Sequence, residues 1–343
     1  MSHLIETGLL AYGMSGRVFH APFLAAHPGF RLRAVVERHT KLAAGHYPGV
    51  VSHASVEALL ADPALELIIV NTPTATHFEL ACQALRAGKH VLVEKPVVLS
   101  AAEARELWAV AEQQERQVFA YQNRRYDADF LALCRVVASG RLGRIFEAAF
   151  RFDRYKPALS SKKFKEASGP GAGLLHDLGP HVLDQVISLW GRPLQARKTL
   201  GCYRQRSKVD DYFSLDLTYP DELHVRVAGS LLVADPNPAF VLHGTLGSYH
   251  QPRADSQEAL LLAGRSPADP DFNLPLPDLA GLLTWANEAG ELHAAPEPAD
   301  RSNYLMLFED VLQSLRFGQP YPVTAEQVLW QAELLELAPA VSW

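Results

Sequence analysis

The sequence predicts an α/β domain with a doubly wound parallel sheet, followed by an α+β domain built on an open, mainly antiparallel sheet. Three observations carry this. Short apolar runs alternate with helical segments from residue 5 to about residue 122, the pattern of a parallel sheet covered on both faces. The first run feeds a glycine-containing turn, Ala11-Tyr12-Gly13-Met14-Ser15-Gly16. Beyond residue 122, strand-like runs succeed one another without helices between them. The first domain is therefore set at 1–122 and the second at 123–343, with the two terminal helices able to pack back on the first. A chain of 343 residues is too long for one ordinary core.

Composition narrows the function. A hydrophobic content of 48% with 20% charged residues is that of a globular protein. The net charge of −6 argues against a nucleic-acid partner, which would need a basic patch. Cys82, Cys134 and Cys202 are scattered and odd in number, so neither a disulfide framework nor a cysteine metal site is expected, which fits a cytoplasmic protein. The N-terminus lacks a basic stretch followed by an apolar core, so no signal peptide is indicated, and no apolar run is long enough to span a membrane.

Ile5 to Leu10 reads as the first strand. The turn that follows matches the dinucleotide fingerprint G-x-G-x-x-G with Ala11 in the first glycine's place. Gly13 would let backbone approach a pyrophosphate, and Gly16 would let helix pack on strand. This is the signature of a Rossmann domain, and Tyr12, Gly13, Met14, Ser15 and Gly16 are its phosphate-side candidates. A helix to about Ala26 would direct its N-terminal N–H groups at the phosphates.

The second strand, Leu32 to Val36, ends at Glu37, about 20 residues past the turn. A carboxylate there can accept hydrogen bonds from the adenosine ribose hydroxyls and repel a 2′-phosphate, whereas Arg38 could pair with that phosphate. Glu37 weighs more, so NAD is expected, with NADP the alternative. Leu65 to Val70 is a further strand, and Asn71, Thr72, Pro73 and His77 follow at the same sheet edge. Val91-Leu92-Val93 is a buried strand that ends abruptly in Glu94-Lys95-Pro96, since Pro96 has no N–H and biases Lys95 to extended backbone. Ligands bind outside the carboxyl ends of such strands, so Glu94 and Lys95 face the crevice. Ser100 to Glu103 is a capping box opening a helix to Gln114, and Val118 to Tyr121 is the last strand.

In the second half, Asp127 to Ser139 reads as a helix. Ile145–Arg154, Gln195–Arg204, Phe213–Tyr219, Leu223–Leu232 and Phe240–Thr245 read as strands. Residues 268–298 are proline-rich and read as irregular connection. Asn303 to Phe317 and Thr324 to about Leu337 are helices, the latter opened by a capping box. The chemical centre is Gly169 to Gln185, a glycine-rich loop entering a helix. Asp177, His181 and Asp184 share one helical face. Gly179 and Pro180 disfavour helix, so regular helix is expected only near Pro180.

Together these motifs resemble the Gfo/Idh/MocA family, along the length of the chain. The dinucleotide turn, Glu94-Lys95-Pro96 and Asp177-x-x-x-His181 occur in that family's order and approximate spacing. Asn123-Arg124-Arg125-Tyr126-Asp127, Asp177-Leu178-Gly179-Pro180-His181, Asp210-Asp211-Tyr212-Phe213 and Pro322-Val323-Thr324-Ala325-Glu326 look like the subgroup of NADP-dependent scyllo-inositol dehydrogenases. Glu37 departs from that subgroup, whose members carry a small residue before an arginine. The resemblance implies a hydride transfer between NAD(P) and a secondary alcohol or carbonyl of a polyol, inositol or sugar-like substrate. It implies Lys95, Asp177 and His181 as catalytic residues, and a homodimer or homotetramer.

The chemistry of the residues agrees. An imidazole titrates near the useful range for proton transfer, so His181 is the candidate proton acceptor in alcohol oxidation. Lys95 would stabilise the developing alkoxide or share the proton, and Asp177 would orient the pair. Arg124, Tyr126 and Tyr155, with Arg154 and Lys156 nearby in sequence, are candidate substrate contacts. Two rival readings stand beside this one: a non-catalytic dinucleotide-binding sugar sensor, and a metal-dependent enzyme using His176, Asp177, His181 and Asp184. No metal is expected, because no further ligand with matching spacing presents itself.

Overall fold

The computed structural model describes residues 4–160, 166–287 and 289–340. The chain divides into two compact units: Met1–Asn123 with Ser256–Asn273 and Asn303–Val328, and Arg124–Asp255 with Leu274–Ser302 and Leu329–Trp343.

The first unit is built on six strands: β1 (Ile5–Leu9), β2 (Phe30–Val36), β3 (Val51–His53), β4 (Leu67–Val70), β5 (His90–Val93) and β6 (Val118–Ala120). All pair in parallel in the order β3-β2-β1-β4-β5-β6. The order reverses between β1 and β4, so the carboxyl ends of these two strands flank the switch point where ligands bind such sheets. β4 and Val91 to Val93 of β5 are buried throughout, as strands covered on both faces must be. The helices are α1 (Ala21–Ala26), α2 (Ala43–His46), α3 (Val56–Leu60), α4 (His77–Arg86) and α5 (Ala101–Gln113). At the start of α5, Glu103 N donates to Ser100 Oγ at 3.1 Å, while the Glu103 carboxylate accepts from Leu99 N at 2.8 Å. The short edge strand β3 is not anticipated by the sequence. Its three residues, Val-Ser-His, carry no apolar alternation to mark it.

The glycine turn does not run directly into an α-helix. Residues Gly16–His20 wind as a π-helical turn, with Ala21 N–H reaching Gly16 O, before α1 begins. The helix Leu305–Phe317 belongs to this unit, and its Phe308 stacks on Phe23 of α1 at 5.8 Å.

The second unit holds α6 (Ala128–Ala138), α7 (Leu174–Trp190) and an eight-stranded sheet in the order β14-β13-β12-β11-β7-β10-β9-β8. Its strands are β7 (Ile145–Asp153), β8 (Gln195–Gly201), β9 (Tyr212–Thr218), β10 (His224–Ser230), β11 (Phe240–Gly244), β12 (Gly247–Gln251), β13 (Gly281–Ala286) and β14 (Leu292–Glu297). Among the described strands of this sheet, β7 and β10 are the one pair that runs parallel. Phe213, Leu215 and Leu217 of β9 and Val225 and Val227 of β10 turn one face inward against Leu178, Val182, Leu183 and Val186 of α7.

Two expectations are corrected here. Residues 268–298 are not irregular throughout, since they include β13 and β14. Leu283 is buried and pairs with Tyr249, and Pro296 lies on the outermost strand, where a missing N–H disturbs no central ladder. Helix α7 starts at Leu174 rather than near Pro180. Gly179 and Pro180 lie inside it, both buried, and its apolar face is anchored in the sheet core, so packing overrides local propensity. The Pro180 carbonyl accepts from Gln331 Nε2 at 2.9 Å.

Candidate active site

In the first unit, the turn after β1 is shaped by close backbone approach. A Cβ on Gly16 would stand 2.4 Å from Ala11 O and 3.0 Å from Asn71 Nδ2. Only glycine fits there. Gly13, by contrast, faces open space, with nothing within 4 Å of where its Cβ would be. A crowded glycine at the helix side and an open one at the ligand side are what a pyrophosphate cradle requires, so the residues fit a dinucleotide. Met14 is 52% exposed beside it, and Tyr12 is buried.

Several residues expected to touch the cofactor are engaged in holding backbone. The Asn71 amide pairs reciprocally with Ala11: Ala11 N donates to Oδ1 at 3.0 Å and Nδ2 donates to Ala11 O at 2.8 Å. It thereby ties the end of β4 to the turn after β1. His77 is buried, with Nδ1 2.8 Å from Pro96 O and Nε2 2.8 Å from Thr72 O, so it braces two strand-end loops. Thr72 Oγ1 lies 2.7 Å from Thr76 Oγ1, and Pro73 is exposed. Glu37, also buried, accepts from Leu42 N at 2.8 Å, Ala43 N at 3.3 Å and Ser52 Oγ at 2.7 Å. Three of its four acceptor sites are thus taken by its own loop and by β3. Arg38, the next residue, is exposed.

Glu94 lies at the carboxyl end of β5. Its Oε1 accepts from Ser15 Oγ at 2.6 Å and lies 2.8 Å from His20 Nε2, and its Oε2 accepts from Lys95 N at 3.3 Å. Burial would push this carboxyl up, but the hydrogen bonds from His20 and Ser15 and the Lys95 ammonium hold it down at about 2. Lys95 is half-buried beside it. His20 is fully buried, against Tyr121 with ring centroids 4.4 Å apart. The sequence reading missed His20, because one histidine in an apolar helix carries no periodic signal. The distance of five residues from Ser15, on a turn that winds i→i+5, is what brings both to one carboxylate.

In the second unit, α7 carries Asp177 in its first turn and His181 one turn later, on a polar stripe beside the apolar one. His181 is buried, its ring 6.4 Å from that of Phe152. Three guanidiniums, of Arg124, Arg154 and Arg253, lie 4.9, 5.2 and 4.5 Å from the same Phe152 ring, within cation–π range. Arg124 also donates to Asp127 Oδ2 at 3.0 Å. Burial pushes the Asp127 carboxyl up to about 8 against the pull of Arg124, with Asp255 and Asp129 adding to the rise. Tyr126 is buried, whereas Tyr155 is 60% exposed. Asp184 is bound bidentately by Arg125, at 2.7 and 2.8 Å, which makes it an anchor of the Asn123–Tyr126 turn on α7. Among the described residues, no group of three or more His, Cys, Asp or Glu side chains is placed to hold a metal ion, and no helix is long and apolar enough to cross a membrane.

Comparison with known proteins bears on both units. Residues 5–122 match the oxidoreductase family with an NAD-binding Rossmann fold, and residues 130–250 match the GFO/IDH/MocA C-terminal domain. The chain is 35% identical to the uncharacterised oxidoreductase YdgJ of Escherichia coli K12, over 98% of this chain and 96% of that one. It is 31% identical to IolW of Bacillus subtilis, a scyllo-inositol 2-dehydrogenase (NADP+), over 97% and 92% of the two chains. Among solved structures, an oxidoreductase from Bacillus cereus superposes with a TM-score of 0.90 at 30% identity, covering 96% of this chain and 95% of that one.

Proposed function

This chain belongs to the Gfo/Idh/MocA family of oxidoreductases, and from that premise we propose that it transfers hydride between NAD(P) and a secondary alcohol or carbonyl of a polyol, inositol or sugar-like substrate. The observation that carries the reading is the Ser15–Glu94 hydrogen bond. It joins the dinucleotide turn to the strand end that bears Lys95, so an ammonium stands beside the place built for the cofactor. The likeness to IolW, named for its action on an inositol, supports the substrate class.

The nicotinamide, when bound, gives or accepts the hydride. The side chains manage the proton and the charge on the substrate oxygen. His181 takes the proton as the alcohol is oxidised. Lys95 donates a hydrogen bond to the same oxygen and stabilises the negative charge that develops on it. Asp177, one helical turn before His181, accepts from a substrate hydroxyl and orients the exchange. Arg124 and Tyr126 bound the substrate, and Tyr155 reaches it from an exposed position. The active species is a homodimer or homotetramer; the apolar Phe146 and Leu282, exposed on β7 and β13, support an interface there, and light scattering of the purified protein reports it.

The test is turnover. Inositols, aldoses and keto-sugars are offered with each cofactor in turn, and the reduced-nicotinamide absorbance is followed. Turnover of a cyclitol or sugar is expected. Tight cofactor binding without turnover of any member of the panel would instead favour the sensor reading.

A further inference from the structure

We propose that His20 is a positioning residue for the nicotinamide end of the site: with Ser15 it clamps the Glu94 carboxylate, so that the dinucleotide turn and the Lys95 strand end behave as one rigid piece. The inference rests on the reading that Lys95 and Glu94 flank the cofactor, and it goes beyond that reading by assigning a role to a buried histidine that touches no ligand in it.

The geometry supports a clamp in four respects. First, two donors from opposite ends of one short turn, Ser15 Oγ and His20 Nε2, converge on the single oxygen Oε1 of Glu94, at 2.6 and 2.8 Å. Hydrogen bonds to an ionised oxygen are the strong kind. Second, the other oxygen accepts from the backbone N–H of Lys95 at 3.3 Å, so the orientation of the carboxylate and that of the Lys95 backbone are linked. Third, the turn that presents both donors is π-wound. Such turns recur at functional sites and are costly to keep without a reason. An ordinary α-helical winding would carry residues five apart to different faces of the helix.

Fourth, His20 itself is held from behind. Its ring packs in a three-ring cluster with Tyr121, at 4.4 Å, and Phe308, at 6.5 Å, and the Tyr121 hydroxyl donates to Phe19 O at 2.8 Å, next to His20 in the chain. Nδ1 of His20 is buried with no hydrogen-bond partner among the described residues. An unprotonated ring nitrogen tolerates this better than an N–H would, which suits the tautomer that donates from Nε2 to Glu94. A buried histidine that spends its one donor on a carboxylate next to the reacting amine serves that carboxylate, whereas an apolar residue would serve packing alone.

The experiment separates positioning from packing. His20→Phe keeps a ring against Tyr121 and removes the donor. His20→Gln puts an amide donor at similar reach. Binding of reduced cofactor and of ADP-ribose, which lacks the nicotinamide, is measured by fluorescence or calorimetry, together with Tm. A positioning role predicts that His20→Phe weakens reduced-cofactor binding about tenfold, the loss of one charge-assisted hydrogen bond. ADP-ribose binding should stay within about twofold, and His20→Gln should recover most of the loss. Equal losses for both ligands accompanied by a fall in Tm, or no loss for either, would overturn the proposal. If His20→Phe does not fold, His20→Leu removes the same donor with a smaller apolar side chain, with the same expected split. Because this readout is binding, it stands apart from the catalytic reading, which fails separately if Lys95→Met transfers hydride at the wild-type rate.

Discussion

Replacing Arg125 by Met tests how the second unit holds its site. Arg125 makes two hydrogen bonds to Asp184, at 2.7 and 2.8 Å, with the two side chains 10% and 4% exposed. The pair fastens the turn carrying Arg124 and Tyr126 to the helix carrying His181. Removing one partner of such a pair leaves a buried carboxylate uncompensated, at a cost of about 3–5 kcal/mol. The pH dependence has a definite sign. Burial already raises the Asp184 carboxyl above its ordinary range against the pull of Arg125, and without the guanidinium it rises further. The folded state then binds a proton that the unfolded state has released, so stability falls as pH rises from the unfolded carboxylate value through the folded one. Urea unfolding of Arg125→Met at neutral pH should show the full deficit, and the deficit should shrink as pH drops toward about 4. Arg125→Met combined with Asp184→Leu should recover most of the loss, because an apolar pair of similar volume carries no stranded charge. A single variant as stable as wild type at every pH, or a deficit that grows on acidification, would refute the reasoning.

Three further outcomes follow from the first unit. Gly16→Ala drives a methyl against Ala11 O and should weaken ADP-ribose binding more than tenfold, measured by calorimetry, since the turn cannot keep its path. Asn71→Ala removes two hydrogen bonds to Ala11 and should cost about 2 kcal/mol in chemical denaturation, at roughly 1 kcal/mol each, with weaker binding of both cofactors. Arg38→Ala should weaken NADP binding about tenfold or more while leaving NAD unchanged, because a guanidinium pairs with the 2′-phosphate that NAD lacks; equal effects on the two would remove Arg38 from cofactor selection.

The parts of the fold that could be read from sequence are those where local chemistry and global packing agree. β4 and Val91 to Val93 of β5 are unbroken apolar runs closed by turn residues, and Gly16 stands where no side chain fits. The capping box at Thr324 forms, with Gln327 N on Thr324 Oγ1 at 3.3 Å and Thr324 N on Gln327 Oε1 at 3.2 Å, whereas at Ser100 the hydroxyl caps Glu103 N and the Glu103 carboxylate turns to Leu99 N. The parts that could not be read are those where tertiary contacts outvote local preference. The start of α7 was hidden because Gly179 and Pro180 speak against helix, while Leu175, Leu178, Val182 and Val186 bind that helix to the sheet. β13 and β14 were hidden by proline-rich surroundings that only an outer strand tolerates.

For the site, position was more legible than role. Asn71 and Glu37 lie at strand ends and His77 opens α4, yet their polar atoms are on Ala11, Pro96, Thr72, Leu42, Ala43 and Ser52. A sequence shows that a polar residue follows a strand; it does not show which backbone group will reach it first. His20 illustrates the converse, a residue without a motif whose contact with Glu94 depends on an irregular turn.

The most direct test of the catalytic assignment is single-turnover hydride transfer in Lys95→Met and His181→Ala, with cofactor binding confirmed in each. Both variants should bind cofactor and transfer hydride at least about 100-fold more slowly than wild type, the usual scale of a lost general acid or base. Wild-type transfer rates in both, with cofactor bound, would contradict it.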